Sequence, residues 1–207
     1  PLSVPSIIET ETLMLSSRNI MSPQNGLPIM APIQDIVLGV YYLTLDINEV
    51  QNEEKLLLFH SLEEAKIAYH QGKVAIHDKV RVYHNNQKPF VTTIGKVIFN
   101  TQLKRLFIDM KRDPNELEYL NETISSKSLK IYIKDCFDKF GSDITAKIIE
   151  EIKKLGFEYA TKPGITIGID DMIQPANLSV LINEADKTVK LMNESFHNGL
   201  LSENERH

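Results

Sequence analysis

The sequence has no tryptophan, one cysteine in 207 residues and no excess of basic side chains. The single Cys136 cannot close an internal disulfide or build a thiolate metal cluster, which points to a reducing compartment. It sits in the apolar-periodic stretch IYIKDCFDKF, where a thiol serves as a small buried hydrophobe. A net charge of −5 argues against a free-standing nucleic-acid binder, which would present a basic face. No stretch approaches the roughly 18 apolar residues of a membrane span. No basic segment leading into an apolar one marks a signal peptide. The histidines at 60, 70, 77, 84, 197 and 207 show neither HxxxH nor HxH spacing, so no zinc site is expected. GxSxG, P-loop and GxGxxG patterns are missing, and no nucleophile has a base in its local context.

With 42% apolar and 25% charged residues, the chain can bury a core as one large domain or two small ones. It opens PLSVPS without methionine and stops at LLSENERH as a helix begins, the pattern of an excised segment. Ser3 as N-cap and Pro5 in the first turn predict a helix over 4–16, with Val4, Ile7, Ile8, Met14 and Leu15 on one face. RNIMSPQNGLPIMAP is a stiff, turn-rich loop. A helix from Gln34-Asp35 follows, apolar nearly all round from Ile36 to Leu43 and hence buried on most sides.

KLLLFHS reads as a strand of about four residues, and SLEEAKIAYHQGK as a helix with a Ser61–Glu64 capping box and a Gly72 stop. KVRVYHNNQKPFVTTIGKVIFN reads as two strands around Asn85-Asn86, with Ile94 and Val97-Ile98 continuing the strand pattern. Residues 103–125 read as charged and irregular. Two helices follow, from Ser126 and from Ser142, the second with a stripe of Ile144, Ile148, Ile152 and Leu155. The last helix carries Leu178, Leu181, Ile182, Ala185, Val189, Met192 and Phe196 on a near-heptad stripe, so a packed partner helix is expected. The fold class is α+β: helix-rich, with a small mixed or antiparallel β portion, ending in a long helix that is the first arm of a coiled coil.

Asp170-Asp171 is the tempting carboxylate pair, since Mg²⁺ takes one or two carboxylates plus phosphate oxygens. Neighbouring strand residues face opposite ways, and a turn or cap after ITIGI is the plainer reading. Gln34 has two readings: its amide satisfies nearby loop backbone, or it touches the sugar or base of a nucleotide, since it both donates and accepts.

Two stretches carry a family resemblance. SSRNIMSPQNGLPIMAPIQDIVLGVYYLT resembles the segment just after the catalytic loop in the β′ (largest) subunit of bacterial-type multisubunit DNA-directed RNA polymerase, and GFEYATKPGITIGIDDMIQP resembles its later funnel segment. HSLEEAKIAYHQGKVAIHDKVRV and TTIGKVIFN, between them, are similar to the same subunit. The resemblance implies a pore-like region over 1–120 and the start of a funnel-like region over 121–207, lining the secondary channel for nucleoside triphosphates and backtracked RNA. It implies Mg²⁺ in the whole enzyme, held by a loop upstream of Pro1, with no metal-binding aspartate, no zinc and no activity in this segment alone. It implies that Gln34 projects toward the substrate or RNA 3′ end, supported by a loop with Asn19 and Asn25 and by Asp35 capping the helix. Tyr41-Tyr42 is then core packing. The terminal helix resembles a rim arm, with Glu184, Lys187 and Glu194 on the face where transcript-cleavage-type factors dock. The implied partners are the other polymerase subunits, with DNA and RNA in the whole enzyme and no membrane, in the cytoplasm of a bacterium or in a plastid. The competing reading is a stand-alone interaction module that binds through its exposed terminal helix and is prone to self-association along the Leu178–Phe196 stripe.

Overall fold

A computed structural model describes residues 3–47, 56–83 and 88–206. Among these the strands are β1 (Leu58–Phe59), β2 (Lys79–Val82) and β3 (Phe90–Thr93), in the order β1-β2-β3. β1 runs parallel to β2, with Leu58 opposite Arg81, and β2 runs antiparallel to β3, with Lys79 opposite Thr93 and Val82 opposite Phe90. A parallel pair needs a crossover, and the helix α3 (Leu62–His70) supplies it. Ser61 accepts the Glu64 amide at 3.1 Å, as the capping pattern predicts, while the Glu64 carboxylate turns back to the His60 amide at 2.7 Å. β1 is two residues long rather than about four, and Asn85-Asn86 lie outside the described residues.

Thr93 ends β3 and begins a helix. Its hydroxyl accepts the amide of Lys96 at 3.4 Å, and α4 runs from Ile94 to Asp109. The strand reading of Ile94 and Val97-Ile98, and the irregular reading from Leu103, are therefore corrected. Every residue from Ile94 to Asn100 is buried. A helix buried all round shows no amphipathic stripe, and a short apolar run then mimics a strand.

The helix α1 (Val4–Glu9) passes into a π-helical turn over Thr10–Met14, and Leu15 is extended, so the expected helix stops short of residue 16. Neither piece has a buried residue. Ser3 holds the N-cap position without a capping bond; its hydroxyl pairs with that of Ser6 at 2.9 Å. Three further helices complete the core with α4: α2 (Asp35–Thr44), α5 (Ser126–Phe140) and α6 (Ser142–Thr161). Ile148, Ile152 and Leu155 are buried as their spacing predicts, against Val40 and Leu43 of α2, Phe99 and Phe107 of α4 and Ile133 of α5. Cys136 is buried in the same core.

These elements, through Ile165, form one compact unit; Thr166–His207 forms a second. The second unit contains a 3₁₀ turn at Ile169–Asp171, the helix α7 (Leu178–His197) and the short helix α8 (Glu203–Arg206). No residue of α7 is buried, and Leu181, Ile182, Val189 and Met192 are exposed along it. The helix-rich α+β architecture with a small mixed sheet agrees with the sequence.

Candidate functional site

Pro32 is buried, and just after it the chain makes an uncommon turn. Gln34 has φ +51° and ψ −123°, and the Ile36 amide reaches back to the Ile33 carbonyl at 3.2 Å. This is the first central position of a type II′ turn, normally a glycine's place. A side chain there costs about 1–3 kcal/mol and persists only where its surroundings enforce it. The Gln34 carbonyl accepts the Leu38 amide at 3.0 Å, so Gln34 is the residue from which α2 starts.

The Gln34 side chain is exposed and makes no hydrogen bond among the described residues. The reading in which its amide satisfies nearby loop backbone therefore has no bond to support it. The residue borders an open depression of about 480 Å³, lined by Ile33, Gln34, Val37, Leu38, Tyr41 and Ser126. The lining contains no charged group, so the depression offers apolar contact, the Gln34 amide and the hydroxyl-bearing Tyr41 and Ser126. It holds no His, Asp, Glu, Lys or Cys to activate the Ser126 or Tyr41 hydroxyl.

Asp35 lies in the first turn of α2 with no capping hydrogen bond, so it acts on the helix only through its charge near the dipole, worth about 0.3–1 kcal/mol. The core role expected for Tyr41 is also corrected: it is 42% exposed and faces the depression. Tyr42 is half-buried, edge-on to the His77 ring at 4.7 Å. Asn19 and Asn25 both work within the preceding loop. The Asn19 amide donates to the carbonyls of Leu13 (2.8 Å) and Leu15 (3.2 Å), and the Asn25 carbonyl oxygen accepts the Leu27 amide at 3.1 Å. Gly26, at φ +62°, closes that loop, and Ile20 plugs it into the core.

Sequence reasoning missed what holds α2. Thr44, buried near its end, donates to the Val40 carbonyl at 2.8 Å and accepts the Ile124 amide at 3.0 Å. Just beyond, Asp46 bridges Lys79 at 2.8 Å and the buried Lys96 at 3.2 Å. Burial alone would raise the Asp46 carboxyl, but the hydrogen bonds from the two lysines outweigh it and hold it below the usual range. Three glycines meet backbone along α2: Gly39 lies against Gly156, Gly156 against Ile36, and Gly95 against Leu43. Gly39 inside an otherwise helical pattern was the legible signal, since such a glycine usually has a packing reason.

Asp170 and Asp171 do not fit a metal. They occupy the exposed 3₁₀ turn, and Asp171 Oδ2 already accepts the Gly168 amide at 2.7 Å. Among the described residues no group of three or more His, Cys, Asp or Glu side chains could hold an ion. On α7, Glu184, Lys187 and Glu194 are exposed. No helix among the described residues is long and apolar enough to cross a membrane.

The sequence profile described as RNA polymerase Rpb1, domain 3, matches residues 19–172. That stretch contains the strained turn, α2 and its glycine contacts. The chain belongs to this family. It is also similar to bacterial DNA-directed RNA polymerase β′ subunits. The subunit of Pelotomaculum thermopropionicum is 39% identical over all of this chain and 17% of its own length. That of Desulforudis audaxviator is 34% identical, again over all of this chain and 17% of its own. That of a Thermoanaerobacter species is 37% identical, over all of this chain and 18% of its own. The chain thus spans less than a fifth of the curated relatives it matches.

Proposed function

We propose that this chain is the part of a DNA-directed RNA polymerase β′ subunit that lines the entry route of nucleoside triphosphates beside the active centre. One observation carries the reading: Gln34 presents an unbonded amide from a backbone conformation that disfavours any side chain, at the edge of a neutral depression. Backbone strain of this kind clusters at ligand-contacting positions, and an amide left without a local bond is available to a ligand outside the segment. A nucleotide sugar or base suits an amide that both donates and accepts. In this reading Gln34 orients, and the chemistry belongs to Mg²⁺ held elsewhere in the whole enzyme, so the segment alone is inactive.

The same reading assigns 1–120 to the pore and 121–207 to the start of the funnel. It gives the α7 face with Glu184, Lys187 and Glu194 to channel-binding factors. Its partners are the other polymerase subunits, with DNA and RNA in the assembled enzyme, in the cytoplasm of a bacterium or in a plastid. The test is photocrosslinking in an assembled polymerase whose β′ subunit carries this sequence. A photoreactive base at the RNA 3′ end, in a backtracked complex, is expected to label a peptide containing Gln34. Labelling confined to peptides outside residues 29–46 counts against the assignment.

The exposed stripe on α7 favours a second reading, an interaction module acting through that helix. Sedimentation of the isolated chain at rising concentration separates the two functions' demands: self-association reversed by Leu181→Glu supports the stripe as a contact surface.

A further inference from the structure

Beyond the role proposed for Gln34, and resting on it, we infer that Gly39, Gly156 and Gly95 are positioning residues that fix α2 and so aim the Gln34 amide. A Cβ on Gly39 would lie 1.8 Å from the Gly156 carbonyl oxygen and 2.8 Å from the Ala160 amide nitrogen. A Cβ on Gly156 would lie 2.6 Å from the Ile36 carbonyl oxygen and 2.5 Å from Ile36 Cγ2. A Cβ on Gly95 would lie 1.7 Å from the Leu43 carbonyl oxygen. In each case the obstacle is backbone, which cannot rotate away as a side-chain tip can.

The three contacts fall at Ile36, Gly39 and Leu43, spaced as one face of a helix. Leu38 and Tyr41, on the other side, line the depression. One face of α2 therefore sits in direct backbone contact with α6 and α4, leaving no slack for sliding or rolling. Close-packed backbone transmits displacement instead of absorbing it. A shift of α2 carries Gln34 with it, because the Gln34 carbonyl is already bonded into the first helical turn. The same clamp enforces the type II′ geometry of Gln34, which its own residue type disfavours.

The test uses assembled polymerase with the full-length β′ subunit carrying this sequence, and measures kcat and KM for single-nucleotide addition. Gly39→Ala forces the helices apart. Ile36→Ala loosens the same contact without a clash and serves where Gly39→Ala does not assemble. Each is built with Gln34 present and with Gln34→Ala. With Gln34 present, kcat/KM is expected to fall at least about threefold, and by no more than Gln34→Ala itself costs, because the displacement acts through that one amide. In the Gln34→Ala background the further loss is expected to stay within about twofold, because the two changes act through one group. Equal losses in both backgrounds, or no loss in either, overturn the positioning role and leave that of Gln34 intact. A silent Gln34→Ala overturns the nucleotide-facing reading itself, and this inference falls with it.

Discussion

The Ile124 amide donates to the Thr44 hydroxyl across a sequence gap of 80 residues, at 3.0 Å and in the core. The Thr44 carbonyl accepts the Thr123 hydroxyl at 3.2 Å. Together these bonds tie the approach to α5 onto the end of α2. Thr44→Val keeps the shape but strands the Ile124 N–H, and a buried unsatisfied donor costs about 1–3 kcal/mol. Urea unfolding of the chain should show that loss, and Thr44→Ser should recover most of it.

Gln34 occupies a glycine position, so Gln34→Gly should stabilise the folded chain by up to about 1–2 kcal/mol by relieving strain. Gln34→Ala keeps the strain and should leave the melting temperature close to that of the parent. A Gln34→Gly chain that melts lower would remove the strain argument.

Asp46 and Lys96 are coupled, with the Lys96 side chain 4% exposed and Asp46 38%. Asp46→Ala leaves the lysine with Lys79 nearby and the Asn121 carbonyl at 3.2 Å as its remaining partner. Breaking a fully buried pair costs about 3–5 kcal/mol, and the exposure of Asp46 brings the expectation down to about 2–3. Asp46→Ala with Lys96→Met should be more stable than Asp46→Ala alone.

The same pair sets a pH dependence. The Asp46 carboxyl is lowered in the folded chain, so its contribution is present above its unfolded value, about 3.9. That contribution is lost as pH falls through the lower folded value. Below about pH 4 the stability gap between the parent and Asp46→Ala should therefore narrow. A gap that widens on acidification contradicts the assignment.

Cys136 should be slow to react. Burial is the main cause of its thiol being pushed up to about 11, against a smaller opposing hydrogen bond from Tyr132. At pH 8 only about one thiol in a thousand is then ionised. Alkylation by iodoacetamide should run at least roughly tenfold faster in denaturing urea than in buffer.

The elements with one apolar face were legible in the sequence. The stripe Ile148, Ile152, Leu155 announced α6, Ser61 with Glu64 announced α3, and the Leu178–Phe196 stripe announced α7. α4 was not, because a helix buried on every side from Ile94 to Asn100 has no polar face to give it a period. Tyr41 was assigned to the core from its apolar neighbours, yet the glycine contacts turn the opposite face of α2 inward. At the candidate site, Gln34 stood out as a polar residue ahead of an apolar run. Its backbone strain could not be read from a residue that ordinarily avoids it. The Asp46–Lys96 bridge spans 50 positions, and no local pattern records such a pairing.

The central claim is that the Gln34 amide faces the incoming nucleotide or the RNA 3′ end. Single-nucleotide addition by assembled polymerase carrying Gln34→Ala, with and without RNA backtracked by one position, tests it most directly. The account predicts a fall in kcat/KM of roughly fivefold to 100-fold, the equivalent of about 1–3 kcal/mol, or an equally large change in the lifetime of the backtracked complex. Elongation rate, KM and backtracked lifetime all equal to those of the parent enzyme would contradict it.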